Sequence, residues 1–373
     1  MKKQQEKNSC ALRTSIGGQA LMEGIMMRGP KKTALAVRNP RGEIVLEESE
    51  TRGAKRPKIC KLPIIRGIFG YIDSMVIGYK ALMRSAEISG LDDIVEKKPE
   101  KEKKQSEQSV EPATVEASAE NEPAKAVTEP EKVEEKGEKE EKEEKKLPRW
   151  VVTATMVFSI VVGLSIAIGL FVWLPTFLFG LFVKGVPAAQ ETGNNALNSL
   201  IKSAFEGVLK VFLLVGYMGV ISLTKDIRRT FRYHGAEHKS IFCYEAGKEL
   251  TVENVRSMRR FHPRCGTSFL ILMVLVSIFV SFFIDPICIA ISGSVLPTVW
   301  RVLVKILLIP LIVGIGYELI KFAGRHDNIL TRIISAPGLW LQRLTVLEPD
   351  DEMIECAITA LKAVIPNDGS DKI

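Results

Sequence analysis

Residues 150–183 read WVVTATMVFSIVVGLSIAIGLFVWLPTFLFGLFV, 34 residues without one Asp, Glu, Lys or Arg. The hydrocarbon core of a bilayer is about 30 Å thick and a helix rises about 1.5 Å per residue, so about 20 apolar residues are enough to cross it. The run exceeds that length. Pro175 is predicted to kink or end it, since proline cannot donate the helical hydrogen bond. Three more stretches read the same way. Residues 201–224 carry Glu206 and Lys210 near one end, four apart, a spacing at which they can pair on one face. Residues 266–284 are uncharged and close at Asp285-Pro286. Residues 296–320 are weaker: Arg301 and Lys305 lie near the start, where they can snorkel to the headgroups, and Glu318 lies near the end.

Charge sets the orientation. Lys225 to Arg264 holds ten Lys and Arg, residues 184–202 hold two, and residues 285–300 hold none. Positive loops stay in the cytoplasm. The N-terminus, the 225–265 loop and the C-terminus are therefore expected in the cytosol, in a multi-pass protein of the cytoplasmic (inner) cell membrane. The net charge of +7 conceals a split. Residues 92–149 hold 13 basic and 19 acidic residues, a net of −6, which leaves +13 on the rest. Such an excess beside spans reads as topology and contact with anionic lipid rather than as specific nucleic-acid binding. The six cysteines form no C-x-x-C pair, which argues against a disulfide framework or a zinc ribbon. The first 19 residues start with charge but hold no apolar h-region, so no signal peptide is predicted.

Seven segments follow. Residues 1–62 are a cytosolic β-rich part, with short apolar runs (SIGGQALMEGIMMRG, TALAVRN, GEIVLEES) parted by Gly-Pro and Asn-Pro-Arg-Gly turns. Residues 63–91 are a helix lying in the interface or packed on the bundle, because Arg66, Asp73 and Lys80 interrupt an apolar pattern of helical period. Residues 92–149, rich in Glu and Lys and poor in large apolar residues, read as a disordered linker. Spans one and two fill 150–224, a histidine-containing cytosolic segment 225–265, and the last spans 266–322. A cytosolic segment, 323–373, ends the chain. Its Met353, Ile354, Ala357, Ile358 and Leu361 share one helical face. The fold class is thus α-helical and multi-pass, about four spans with a small β-rich N-terminal part.

The chemistry concentrates in the basic segment. FRYHGAEHKSIFCYE places His234 and His238 four residues apart, so on a helix both imidazoles point to one side and can share a zinc or iron ion. His-Gly-Ala-Glu-His also fits the inverted zincin spacing H-x-x-E-H, in which Glu237 activates a water. Glu245, eleven residues after His234, falls on the same face, and FHPRCGTSF adds His262 and Cys265 as further ligands. Against this stands a plainer reading. His-x-x-x-His pairs arise by chance, the imidazoles can simply order a polar loop, and the arginines can bind lipid phosphate. Cys243 reads as core and His326 as a capping or loop residue. Glu23, in GGQALMEGIMMRG, reads either as an ion-pair partner of Arg28 or as a contact of the histidine segment.

Five blocks carry a family resemblance: GGQALMEGIMMRG (17–29), PIIRG (63–67), HGAEHK (234–239), HPRCGTSF (262–269) and APGLWLQRLT…EPDDEMIECAITAL (336–361). With these the chain resembles the YqhQ-like family of bacterial membrane proteins, a family of unknown function described as predicted metal-dependent enzymes. The resemblance implies membrane location and a metal-dependent activity, and it supplies no substrate. Two function classes result. One is a membrane hydrolase with a divalent metal on His234 and His238 as first ligands, with His262 completing or orienting the site, Glu245 and Cys265 as candidate further ligands and Glu237 as base or ligand. The other is a non-catalytic scaffold or accessory factor for membrane-protein assembly or membrane-associated translation, with the ribosome or translocon as partner.

Overall fold

Two-residue periodicity builds the first element of the computed structural model, which describes residues 13–51, 57–90, 149–185, 195–294, 297–326 and 328–372. Strands β1 (Gly17–Leu21), β2 (Gly24–Arg28), β3 (Lys32–Arg38) and β4 (Ile44–Glu50) form an antiparallel meander in chain order. Side chains alternate across a strand, so neighbours in one strand serve two layers. Ile25 and Met27 face one core with Ala34 and Ala36, while Met26 faces the other with Leu35 and Val37. The first core is closed by helices α5 (Lys225–Glu245) and α11 (Asp351–Val364). On α11 the expected face is buried: Met353, Ile354, Ala357, Ile358 and Leu361. Each large side chain so buried contributes about 1.5–3 kcal/mol. The second core is closed by α1 (Ile65–Ile88) through Ala81.

Helix α1 is the segment of interrupted periodicity, and the first of its interrupting charges, Arg66, has a partner. Arg66 Nε donates to Glu318 Oε1 at 2.7 Å on α9 (Ile309–Arg325), and Tyr71 packs on Phe269 of α7 (Gly266–Ser292). It packs on the helical bundle as well as on the sheet, while Ile72, Met75, Val76 and Tyr79 remain exposed.

The chain divides into two compact units, residues 1–94 with 167–373, and residues 95–166. The described part of the second is the apolar helix α2 (Arg149–Ile168) up to residue 166. The linker expected over 92–149 lies outside the described residues except for Arg149. Among the described residues, three helical stretches can cross a membrane by length and composition: Phe158–Phe182, Leu197–Ile221 and Gly266–Ser292. A fourth crossing exists only if α8 (Thr298–Leu307) and α9, bent by 43°, count as one broken span. Pro310, which lacks the N–H needed to continue the helix, sits at the break.

Four readings of the spans change. Pro175 does not end the first run: a π segment, Gly169–Trp173, widens one turn ahead of it and α3 (Leu174–Gly185) continues. Helix α7 runs through Asp285-Pro286 to Ser292, because Asp285 is paired inside the bundle. Arg301 and Lys305 do not snorkel; they are turned inward against Asp285 and Glu206. Glu206, on α4 (Asn195–Ile221), thus pairs with Lys305 and not with Lys210.

Candidate metal centre

Helix α5 follows its N-cap Thr224, carries Asp226 in its first turn where the helix dipole favours an acid, and is buried from Tyr233 to Cys243. The burial depends on Gly235, where a Cβ would lie 1.9 Å from the Leu347 carbonyl oxygen. One turn apart, His234 and His238 bring their ring centroids to 4.4 Å. His234 Nδ1 faces the Thr345 carbonyl at 2.9 Å and His238 Nδ1 faces the Arg260 carbonyl at 2.5 Å. A carbonyl only accepts, so each Nδ1 carries a hydrogen and Nε2 is the nitrogen left to coordinate.

The third member comes from the mouth of α7. Cys265 is the N-cap of that helix, and its Sγ lies 3.0 Å from His234 Nε2 and 3.4 Å from the Thr267 amide, which donates to it. One ligand atom from each of His234, His238 and Cys265 lies within 4.8 Å of the others, and all three residues are buried. Burial alone raises a thiol's pKa, but the His238 charge and hydrogen bond and the bonds from Thr267 outweigh it, so Cys265 sits below its usual value. Burial pulls His238 below the ordinary imidazole range and favours the neutral ring. The thiolate is favoured while His238 carries the proton; metal takes neutral imidazoles and a thiolate, so loading releases that proton, and this group can hold an ion.

Glu237 lies beside the group and is buried. Desolvation pushes its carboxyl up to about 7, against the charge of His234 and the Gly18 amide hydrogen bond. Its Oε2 has no hydrogen-bond partner among the described residues. A Cβ at Gly18 would stand 2.9 Å from both Cγ and Cδ of Glu237, so the Gly-Gly-Gln strand and the His-Gly-Ala-Glu-His helix fit only with glycine there. Both line a cavity of about 560 Å³ with His238, His262, Arg264, Cys265 and Tyr317 of α9.

His262 and Glu245 lie outside the group of three. Glu245 follows His238 by seven residues, about 10 Å of helix rise, so a shared face does not bring it near. Its carboxylate accepts the Thr14 amide at 3.0 Å, pairs with Arg264, and lies 3.8 Å from His262 Nε2. Although burial opposes ionisation, the His262 bond and the Arg264 charge hold Glu245 down at about 2. The His262 ring stands 5.6 Å from His238 and 4.5 Å from Phe242. Gln342 clamps its backbone, accepting from His262 N at 2.8 Å and donating to His262 O at 2.7 Å. His326 caps α9, its Nδ1 3.1 Å from Phe322 O. Glu23 reaches the histidine helix and not Arg28: it pairs with Arg229 and accepts from Tyr233 Oη at 3.3 Å. Gln342 and Thr345 fall in the block APGLWLQRLT that carries the resemblance, but nothing in it gives them a role, which runs through contacts 80 and 111 residues distant.

A family model described as "Protein of unknown function (DUF1385)" matches residues 62–367. The chain belongs to the DUF1385 family. It is also 30% identical over 359 residues to the Bacillus subtilis (strain 168) "Uncharacterized protein YqhQ", covering 94% of this chain and 92% of that protein. No solved structure matches it. The DUF1385 region contains all three residues of the buried group, Glu237 and the apolar helices, while the β-sheet that supplies Gly18 precedes it.

Proposed function

We propose that the chain is an integral protein of the cytoplasmic membrane that binds one divalent metal, zinc or iron, through His234 Nε2, His238 Nε2 and Cys265 Sγ, and that it is a hydrolase. The observation that carries this reading is the convergence of three buried donors, beside a cavity that His238, Cys265 and Glu237 line, with one carboxylate oxygen of Glu237 unpartnered among the described residues. Two nitrogens and one sulfur suit zinc, and three protein ligands leave one position open, as catalytic sites require. A bound metal supplies Lewis acidity to the scissile group. Glu237 accepts the proton of the attacking water on Oε2 and returns it to the leaving group. The Arg260 and Thr345 carbonyls hold the imidazoles in register. His262 and Arg264 fix Glu245 behind them, and Arg264 presents charge to the cavity.

The ten basic residues of 225–264 support placing this cavity on the cytosolic face, against anionic lipid. Elemental analysis of the detergent-purified full chain tests the reading. Wild type should hold about one transition metal per chain, and the double variant His234→Ala, His238→Ala should hold none. Equal metal in both removes the proposal.

A further inference from the structure

A second cavity, of about 490 Å³, shares His262, Arg264 and Gly324 with the metal cavity. The rest of its wall comes from residue 13, from α5, from the turn between α6 (Val252–Arg256) and α7, from the end of α9 and from α10 (Ile329–Thr345). Four arginines line it, Arg13, Arg259, Arg264 and Arg332, against one acidic residue, Glu245. Arg264 and Glu245 pair with each other and cancel. Arg332 is engaged in a contact of its own, so Arg13 and Arg259 carry the positive excess. Arg13 meets no carboxylate among the described residues; its Nη1 donates to Gly324 O at 3.2 Å. Arg259 makes no hydrogen bond or ion pair among them, and its Cζ lies over the Phe242 ring, 4.3 Å from the centre. Stacking uses the face of a guanidinium and leaves its N–H edge for an acceptor. Ser335 of α10, half-buried on the same wall, adds a hydroxyl with no hydrogen bond among the described residues.

The cavity stands where apolar helices end: Arg264 comes just before α7 and Gly324 at the close of α9. Beside it, α10 leaves Ile329, Ile333 and Trp340 exposed at helical spacing, on one side of the helix. Arg332 and Ser335, which line the cavity, fall on the adjoining side. A helix with an exposed apolar side next to a cationic one suits the headgroup boundary of a bilayer. A free anion uses the arginines and leaves those apolar side chains in water. A phospholipid satisfies both.

We propose that this cavity seats the headgroup of one anionic phospholipid, with its phosphate on Arg13, Arg259 and the Ser335 hydroxyl and its acyl chains along Ile329, Ile333 and Trp340. General attraction of a basic loop to an acidic bilayer needs no cavity. A seat built from guanidinium edges does, and it selects the phosphate oxygens those edges match. The inference does not rest on a loaded metal centre, although the shared wall places the lipid next to it.

Thermal unfolding of the full chain in neutral detergent tests this. Dioleoylphosphatidylglycerol, dioleoylphosphatidylcholine and sodium phosphate (against sodium chloride of equal ionic strength) are titrated separately. Phosphatidylglycerol should give a saturable rise in midpoint well above that of the other two. Arg13→Gln and Arg259→Gln should each weaken its apparent affinity roughly tenfold or more. Arg228→Gln, which removes an exposed charge of the same basic segment outside the cavity, should leave the affinity unchanged. The rise should persist in the double variant His234→Ala, His238→Ala. No rise with phosphatidylglycerol, or an equal one with phosphatidylcholine or phosphate, overturns the proposal. So does wild-type affinity in both Arg13→Gln and Arg259→Gln. An equal loss in Arg228→Gln assigns the effect to diffuse charge, and a loss in the histidine double variant moves the lipid to the metal centre; either result also overturns it. If one arginine variant does not fold, the other decides.

Discussion

Gly18 and Glu237 sit 219 positions apart in the chain yet constrain each other atom against atom. Gly18→Ala should cost about 1–3 kcal/mol, because strand and helix must separate to admit one methyl group. A thermal midpoint within error of wild type contradicts that packing. Glu237→Gln and Cys265→Ser separate base from ligand. The first should keep the wild-type metal content, since Glu237 lies outside the group of three, and the second should lower it. Metal per chain in the two purified variants reads the difference. At this scale the histidine pair was legible, because a helix fixes the angle between positions four apart. The choice among Glu245, His262 and Cys265 was not. Glu245 shares the face but stands too far along it, and His262 and Cys265 reach α5 through a turn whose course depends on Gln342.

Between elements, Glu245 fastens the end of α5 to residue 14 and to the turn before α7. Its carboxyl ionises at about 2 in the folded chain against an ordinary 4.5. A depressed carboxylate stabilises the fold above its unfolded value, and the contribution fades as pH falls from about 4.5 toward 2. The shift corresponds to roughly 3 kcal/mol. Glu245→Gln should therefore be less stable than wild type at pH 7, and the gap should close as pH drops through that window. A gap independent of pH, in denaturant titrations at several pH values, contradicts the assignment. Uninterrupted apolar runs and turn dipeptides showed where α2 and the meander lie, since composition and local chemistry decide such elements. The end of α7 was hidden for the opposite reason: Asp285-Pro286 reads as a stop until Arg301, from another helix, supplies the partner that lets the helix continue.

For the whole molecule, the proposed orientation puts the His234–His238–Cys265 group on the cytosolic side and Ser294, just past α7, on the other. A membrane-impermeant maleimide added to intact cells should label Ser294→Cys and spare Ser257→Cys, with the native accessible cysteines replaced. The reverse pattern inverts the topology and the side on which the chemistry occurs. The count of crossings was legible only up to the bent α8–α9 pair, because a half-helix held by buried ion pairs looks, in composition, like a weak span. The most direct measurement is X-ray absorption at the metal edge of the purified full chain. A mixed shell is predicted, with one sulfur at about 2.3 Å and two imidazole nitrogens at about 2.0 Å, and Cys265→Ser should remove the sulfur component alone. A shell of oxygen only, or a sulfur component that survives Cys265→Ser, contradicts a centre built on His234, His238 and Cys265.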